Sequence, residues 1–354
     1  MKKNFYALFS LILFVFSAAG QIPAGYYDAA AGKTGTALQS ALHNIIKGHT
    51  SVSYSSLPTY FQSTDKKPDQ TVWDMYSDIP GSTPPYSFQF NQDECGNYNS
   101  EGDCFNREHS WPKSWFGGEV MPMYSDLFHL YPTDGYVNNR RDNYPYGEVG
   151  NASWTSMNGS KLGSCTTAGY SGTVFEPIDA YKGDFARSYF YMSTRYYTED
   201  SGWPGSAETT GSQLKPWALA MMLQWSSEDP VSAKEVARNN AVYGIQHNRN
   251  PFIDHPEYAG AIWGFPTGIG MENIVLVNAY PNPATEYFDL NISCDRLNSE
   301  KLLMMDALGV TVQVDIQCNG NTCRANVSSL KKGLWIFAVT TGEKVLHGKV
   351  IINR

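Results

Sequence analysis

The sequence predicts an α+β chain in two unequal parts behind an export signal, on three observations. Residues 21–272 mix helical spacing with stretches dense in Gly, Ser, Asn and Pro and hold few long alternating runs, which reads as a mostly helical and loop-rich domain. From Val275 short alternating segments at turn-separated spacing take over, the pattern of a small all-β sandwich over residues 276–354. Ahead of both, Lys2 and Lys3 precede an apolar run from Leu8 to Phe16 and then Ala18, Ala19 and Gly20. That order predicts a secretory signal over residues 1–20, because the apolar run is shorter than the ~20 residues that span a bilayer.

Export allows the cysteines to oxidise. Of the six, Cys95 and Cys104 bracket a turn-rich segment, and Cys318 and Cys323 bracket Asn-Gly-Asn, a hairpin signal. The remaining two, Cys165 and Cys294, leave connectivity open, and no pair has the CxxC spacing of a zinc site. Helical spacing over 36–46 predicts a first helix, and over 184–197 a second with Phe185, Tyr189, Met192 and Tyr196 on one face. Residues 214–246 read as two helices divided at Asp229-Pro230, where Pro suits a first turn.

Composition excludes whole classes. At 42% hydrophobic and 17% charged residues the 354-residue chain is neither disordered nor a charge-driven coiled coil. A net charge of −8 excludes a broadly basic coat for nucleic acid. Over residues 21–275 the acidic excess grows to about −11, so any polyanionic substrate has to be met by a local cationic cleft and released readily.

The residues that carry chemistry concentrate between Asn106 and Asn143: Glu108-His109, then Asp126, His129, Asn138 and Arg140-Arg141. His109 and His129 are twenty apart with Pro112 between, so the paired histidines of a zincin helix are absent. No GxSxG elbow supports a serine hydrolase. Converging carboxylates of a glycosidase stay open. The other reading is a one-metal phosphodiesterase: Glu108 and Asn138 offer a carboxylate and an amide carbonyl to a hard cation such as Mg2+. His109 as a neutral imidazole can take a proton from water, and Arg140 or Arg141 can hold a phosphate oxygen.

The stretches NREHSWPKSWF and DLFHLYPTDGYVNNRRDNYPYGEV, with FEPIDAYKGDFARSYFYMSTRYY and WSSEDPVSAKEVARNNAVYGIQHNRNPFIDHPE, resemble the bacterial endonuclease I family over roughly residues 26–262. The resemblance implies a ββα-metal (His-Me) finger, with His109 as general base and Glu108 and Asn138 as metal ligands. It implies hydrolysis of DNA and often RNA with little sequence preference, leaving 5′-phosphates, with Mg2+, Mn2+ or Ca2+ as the cation. An unperturbed His109 then predicts activity falling below about pH 6.5. Some family members carry an arginine between the finger strands that supports the product phosphate. Here only Lys113 stands between His109 and Asp126, so Arg187 or Arg249 is the candidate substitute. Asp126 is expected to orient the finger, His129 to pack beside it, Asn143 to tie backbone together, and His247 and His255 to stabilise the end of the domain.

The tail, from VNAYPNPATEYFDLNI onward, resembles the C-terminal sorting domain of type IX secretion cargo. That implies a secreted or surface-exposed protein of a Gram-negative-type bacterium, passed to the type IX machinery through the tail; the chain is expected to be a monomer. The rival reading from another class is a cell-surface binding or adhesion protein that keeps the nuclease fold without catalysis. The presence of Glu108, His109 and Asn138 together favours the enzyme.

Overall fold

The computed structural model describes residues 22–264, 274–292, 301–306, 311–341 and 344–353; the expected signal segment and Cys294 lie outside the described residues. In the first part the order is α1 (Gly35–Ile46), α2 (Leu57–Thr64), β1 (Phe105–His109), β2 (Leu130–Asp134), α3 (Gly135–Arg141), β3 (Val149–Thr155), β4 (Lys161–Cys165), β5 (Thr173–Glu176) and α4 (Asp179–Arg195). There follow β6 (Thr209–Thr210), β7 (Gln213–Leu214), α5 (Pro216–Glu228), α6 (Ala233–Gln246), α7 (Pro251–Asp254) and α8 (Glu257–Trp263). Helices and strands are thus interleaved, and the expectation of a mostly helical domain is corrected. The three-stranded antiparallel sheet β3-β4-β5 occupies a stretch read as loop, because register shifts at Val149/Asn151 and Ala152/Trp154 break its alternation.

Helix α4 is the centre of this part. From Tyr181 through Arg195 every residue is buried, so the single apolar face expected from spacing is instead a helix enclosed all round. Its buried charged members therefore need internal partners, and they have them. Arg187 donates from Nη2 to Glu235 Oε2 at 2.8 Å and from Nη1 to the Asp229 carbonyl at 2.8 Å. Phe185, Tyr189, Phe190 and Met192 supply the apolar surface, each contributing roughly 1.5–3 kcal/mol on burial. Helices α5 and α6 divide where expected, but Pro230 lies outside both. Ser232 caps α6, accepting from the Glu235 amide at 3.2 Å while its own amide donates to Glu235 Oε2 at 2.8 Å.

The tail has its own apolar core, built around Phe288, Leu290, Met304, Phe337 and Val350. Its strands are β8 (Ile274–Leu276), β9 (Ala279–Tyr280), β10 (Tyr287–Asn291), β11 (Lys301–Asp306), β12 (Thr311–Asn319), β13 (Thr322–Asn326), β14 (Gly333–Thr341) and β15 (Lys344–Ile352). They form one eight-stranded sheet in the order β8-β15-β14-β11-β12-β13-β10-β9. Ala284, between β9 and β10, bridges back to Ile352 and hydrogen-bonds Ile351 and Asn353. The sheet therefore curls into a near-barrel rather than the two separate layers of a sandwich. The β12–β13 hairpin turns at Gly320, whose φ of 61° suits glycine, and Cys318 and Cys323 are directly paired across it and disulfide-bonded. Cys95 and Cys104 also form a disulfide, and among the described residues Cys165 is a free thiol. Among the described residues no helix is long and apolar enough to cross a membrane.

Candidate active site

Strands β1 and β2 pair antiparallel with Glu108 opposite Tyr131 and His109 opposite Leu130, and α3 follows β2 directly, giving a strand–strand–helix unit. Local chemistry fixes the corner. Asp134 Oδ1 accepts from the Val137 amide at 2.8 Å, capping α3. Gly135 opens the helix where a Cβ would come within 2.6 Å of Tyr98, so only glycine lets the loop before β1 pack so closely.

His109 stands at the end of β1. Its Nε2 lies 3.1 Å from the Tyr124 carbonyl, which can only accept, so Nε2 carries the proton and Nδ1 holds the lone pair. The ring lies nearly parallel to those of Tyr54 and Tyr124, with centroids 5.8 and 5.3 Å away. Burial, reinforced by nearby His129, holds the His109 pKa well below the ordinary imidazole value, so the ring is neutral at physiological pH.

Glu108 is buried, and both of its hydrogen bonds fall on Oε1, from Tyr76 Oη at 2.8 Å and Arg141 Nη1 at 3.0 Å. Desolvation pushes its pKa up to about 7, while Arg141 and Tyr76 oppose that rise. Asn138, on α3, uses its Nδ2 toward Asn106 Oδ1 at 2.7 Å and the Arg107 carbonyl at 3.4 Å. Glu108 Oε2 and Asn138 Oδ1 are left as oxygen donors, a carboxylate and an amide of the kind a hard divalent cation takes alongside several waters. Among the described residues no cluster of three or more His, Cys, Asp or Glu forms a protein-only cage. Two such oxygens would leave most of a bound cation's shell to water.

The four arginines expected to serve the substrate separate sharply. Arg141 is fully buried: beyond Glu108 it donates to the carbonyls of His109 at 2.9 Å and Ser110 at 2.7 Å, and it lies over the Tyr146 ring at 4.5 Å. It holds the backbone under His109 rather than a phosphate, which corrects the expectation of a catalytic contact. Arg187 and Arg249 are corrected too. The first is tied to Glu235, the second donates to both oxygens of Asp254 at 2.6 and 2.7 Å, and both are buried. Only Arg140 is exposed on the finger helix, resting against Tyr136 and Trp154.

Asp126 and His129 lie behind His109. Asp126 Oδ2 accepts from Tyr191 and Tyr196 at 2.8 Å each, and His129 Nε2 bonds the Met123 carbonyl at 2.7 Å. Asn143 is exposed and donates only to its neighbour Asp142, so it ties no backbone. His247 caps α6 in the left-handed region, and His255 pairs with Glu257. Sequence reasoning missed Tyr54, Tyr76, Tyr124 and Arg107. The last had a signal: strand alternation puts it on the His109 face of β1, where its guanidinium lies 4.6 Å over the Tyr54 ring.

Residues 34–257 match the family described as Endonuclease I, and residues 278–353 the Secretion system C-terminal sorting domain. The chain is 40% identical over 245 residues to an extracellular ribonuclease of Bacillus amyloliquefaciens, covering 67% of this chain and 78% of the relative. It is 38% identical over 249 residues, with the same coverage, to the extracellular ribonuclease of Bacillus subtilis (strain 168). It is 28% identical over 130 residues to an endonuclease-1 of Buchnera aphidicola subsp. Baizongia pistaciae (strain Bp), covering 36% of this chain and 46% of the relative. Members of the matched family generally depend on a divalent metal. The chain belongs to the endonuclease I family and is a nuclease of the hydrolase class, destined for secretion or the cell surface by a type IX sorting domain.

Proposed function

We propose that the protein hydrolyses phosphodiester bonds in RNA and DNA with little sequence preference, using His109 as general base and one divalent cation at Glu108 and Asn138. The observation that carries this reading is the commitment of His109 Nε2 to the Tyr124 carbonyl, which leaves Nδ1 as an unprotonated acceptor on a finger whose Glu108 Oε2 and Asn138 Oδ1 are unspent. RNA is placed first because the 40% and 38% identical relatives are named ribonucleases.

His109 Nδ1 takes a proton from a water attacking phosphorus, and the Tyr124 carbonyl steadies the imidazolium that results. Arg141 holds the His109 carbonyl and the Glu108 carboxylate in one frame, so base and ligand keep their separation. When bound, a divalent cation, Mg2+ by the hydrated oxygen set, supplies positive charge against the charge that develops on phosphate and departing 3′-oxygen. In-line loss of that oxygen leaves a 5′-phosphate on the other product. Arg140 is the exposed finger cation suited to a neighbouring phosphate.

The test is incubation of the purified protein with structured RNA and plasmid DNA, in Mg2+ and in EDTA, with end-group analysis. Cleavage of both polymers in Mg2+ only, with 5′-phosphate ends, is expected. Cleavage that persists in EDTA, or ends bearing 3′-phosphate, would overturn the assignment.

A further inference from the structure

We infer that a pocket alongside β1 is a nucleotide subsite that receives one unpaired base of a single-stranded substrate; this rests on the nuclease reading and names its substrate form. The pocket has a volume of about 320 Å3 and is lined by Tyr54, Glu94, Cys95, Gly96, Asn106 and Arg107. That lies at the lower end of the roughly 300–1,000 Å3 of small-molecule sites, on the scale of one nucleotide.

Its position ties it to the candidate centre from two sides. Asn106 Oδ1 holds the amide of Asn138, and the Tyr54 ring lies parallel to that of His109. A base seated here therefore belongs to a nucleotide adjoining the phosphate that His109 faces. The outer wall is fixed to β1. The Cys95 amide donates to the Phe105 carbonyl at 3.1 Å, the Phe105 amide to the Asp93 carbonyl at 2.9 Å, and the Cys95–Cys104 disulfide closes the loop. A wall so held is ready for a ligand without further ordering cost.

The lining chemistry suits a nucleotide. Arg107 reaches Glu94 at 3.1 Å and donates from Nη1 to the Tyr54 carbonyl at 3.3 Å, with its side chain only partly covered. The Arg107 guanidinium, shared between Glu94 and the Tyr54 carbonyl, is the cation this wall offers to the nucleotide's phosphate. Tyr54 offers a ring edge, and Glu94 and the Asn106 side chain offer hydrogen-bonding groups for a base. At Gly96 a Cβ would meet nothing within 4 Å, and its φ is not in the left-handed region. The backbone does not demand glycine there, and a side chain would project into open space at the pocket wall. A base in a duplex has to leave its stack to enter, which costs a few kcal/mol that an unpaired base does not pay.

The experiment uses the full chain and two readouts: kcat/KM on an oligonucleotide alone and annealed to its complement, and equilibrium binding of adenosine 5′-monophosphate. The wild type is expected to favour the single strand. Gly96→Leu, with unchanged melting temperature, is expected to lower that preference roughly tenfold and to weaken nucleotide binding by a similar factor. Gly96→Ala should give the same effects at a few-fold, and it carries the test if the leucine variant does not fold. An unchanged single-strand to duplex ratio together with unchanged nucleotide binding overturns the subsite while leaving the nuclease reading intact. Nucleotide binding that responds to Gly96 in a protein cleaving neither polymer supports the subsite and overturns the nuclease reading instead.

Discussion

The two cores of this chain are built from different materials. Around α4, buried charge is the organising device: Arg141 with Glu108, Arg187 with Glu235, Arg238 with Asp65 and Arg249 with Asp254 all sit inside. In the tail the core side chains are apolar, Phe288 packs on Phe337 at 5.3 Å, and the ion pair Arg324–Asp289 lies at the surface. Buried ion pairs add little net stability over apolar packing, but breaking one leaves an uncompensated charge. They place groups at defined separations, which a site needs and a sorting tail does not.

The comparison is broken most severely at its polar end. Arg141→Met, similar in length but uncharged, leaves Glu108 buried without its partner and should cost about 3–5 kcal/mol in urea unfolding, with activity lost as well. Arg140→Met, one residue earlier but exposed, should leave stability unchanged and raise KM several-fold. Equal effects of the two would mean that burial does not divide their roles. In the tail, Phe337→Ala should cost about 3–5 kcal/mol through the cavity it leaves, without slowing cleavage by the folded enzyme. Arg324→Ala should leave the melting temperature unmoved.

A smaller effect is pH-dependent. Burial alone would raise the Asp126 pKa, but the His49 and His129 charges and hydrogen bonds from Gln246 and Phe128 bring it down to about 2. The folded value lies below the unfolded one, so the stabilisation is complete above about pH 4 and disappears as pH falls through 2. Asp126→Asn should narrow the difference in melting temperature between pH 5 and pH 2 relative to wild type. A parallel shift at both pH values would contradict the linkage.

Much of the tail was legible because alternation with period two survives in a half-buried sheet; Cys318 and Cys323 flank the turn that spacing implied. Its near-closure was not, since the bridge from Ala284 to Ile352 joins residues far apart in sequence. In the first domain α1 was legible from its apolar stripe and α4 from Phe185, Tyr189 and Met192, but spacing did not show that α4 is wrapped on every side. At the site, the Glu108-His109 pair and Asn138 could be singled out from order and spacing. The fate of the arginines could not, because a guanidinium suits a phosphate and a buried carboxylate equally well. One clue was available: Arg141 follows Val137 by four residues, which puts it on the buried face of α3.

Burial of His109 also revises the expected acid limit of activity. With its pKa held well below the ordinary value, the fall at saturating cation should come below the pH 6.5 of a free imidazole. The most direct test of the central claim is the cleavage rate of His109→Ala at neutral pH and saturating Mg2+, with the melting temperature measured beside it. A loss of roughly 10²–10⁴-fold in kcat with an unchanged melting temperature is the expected result. A folded variant cutting RNA and DNA within a few-fold of the wild-type rate would contradict the assignment of His109 as the base.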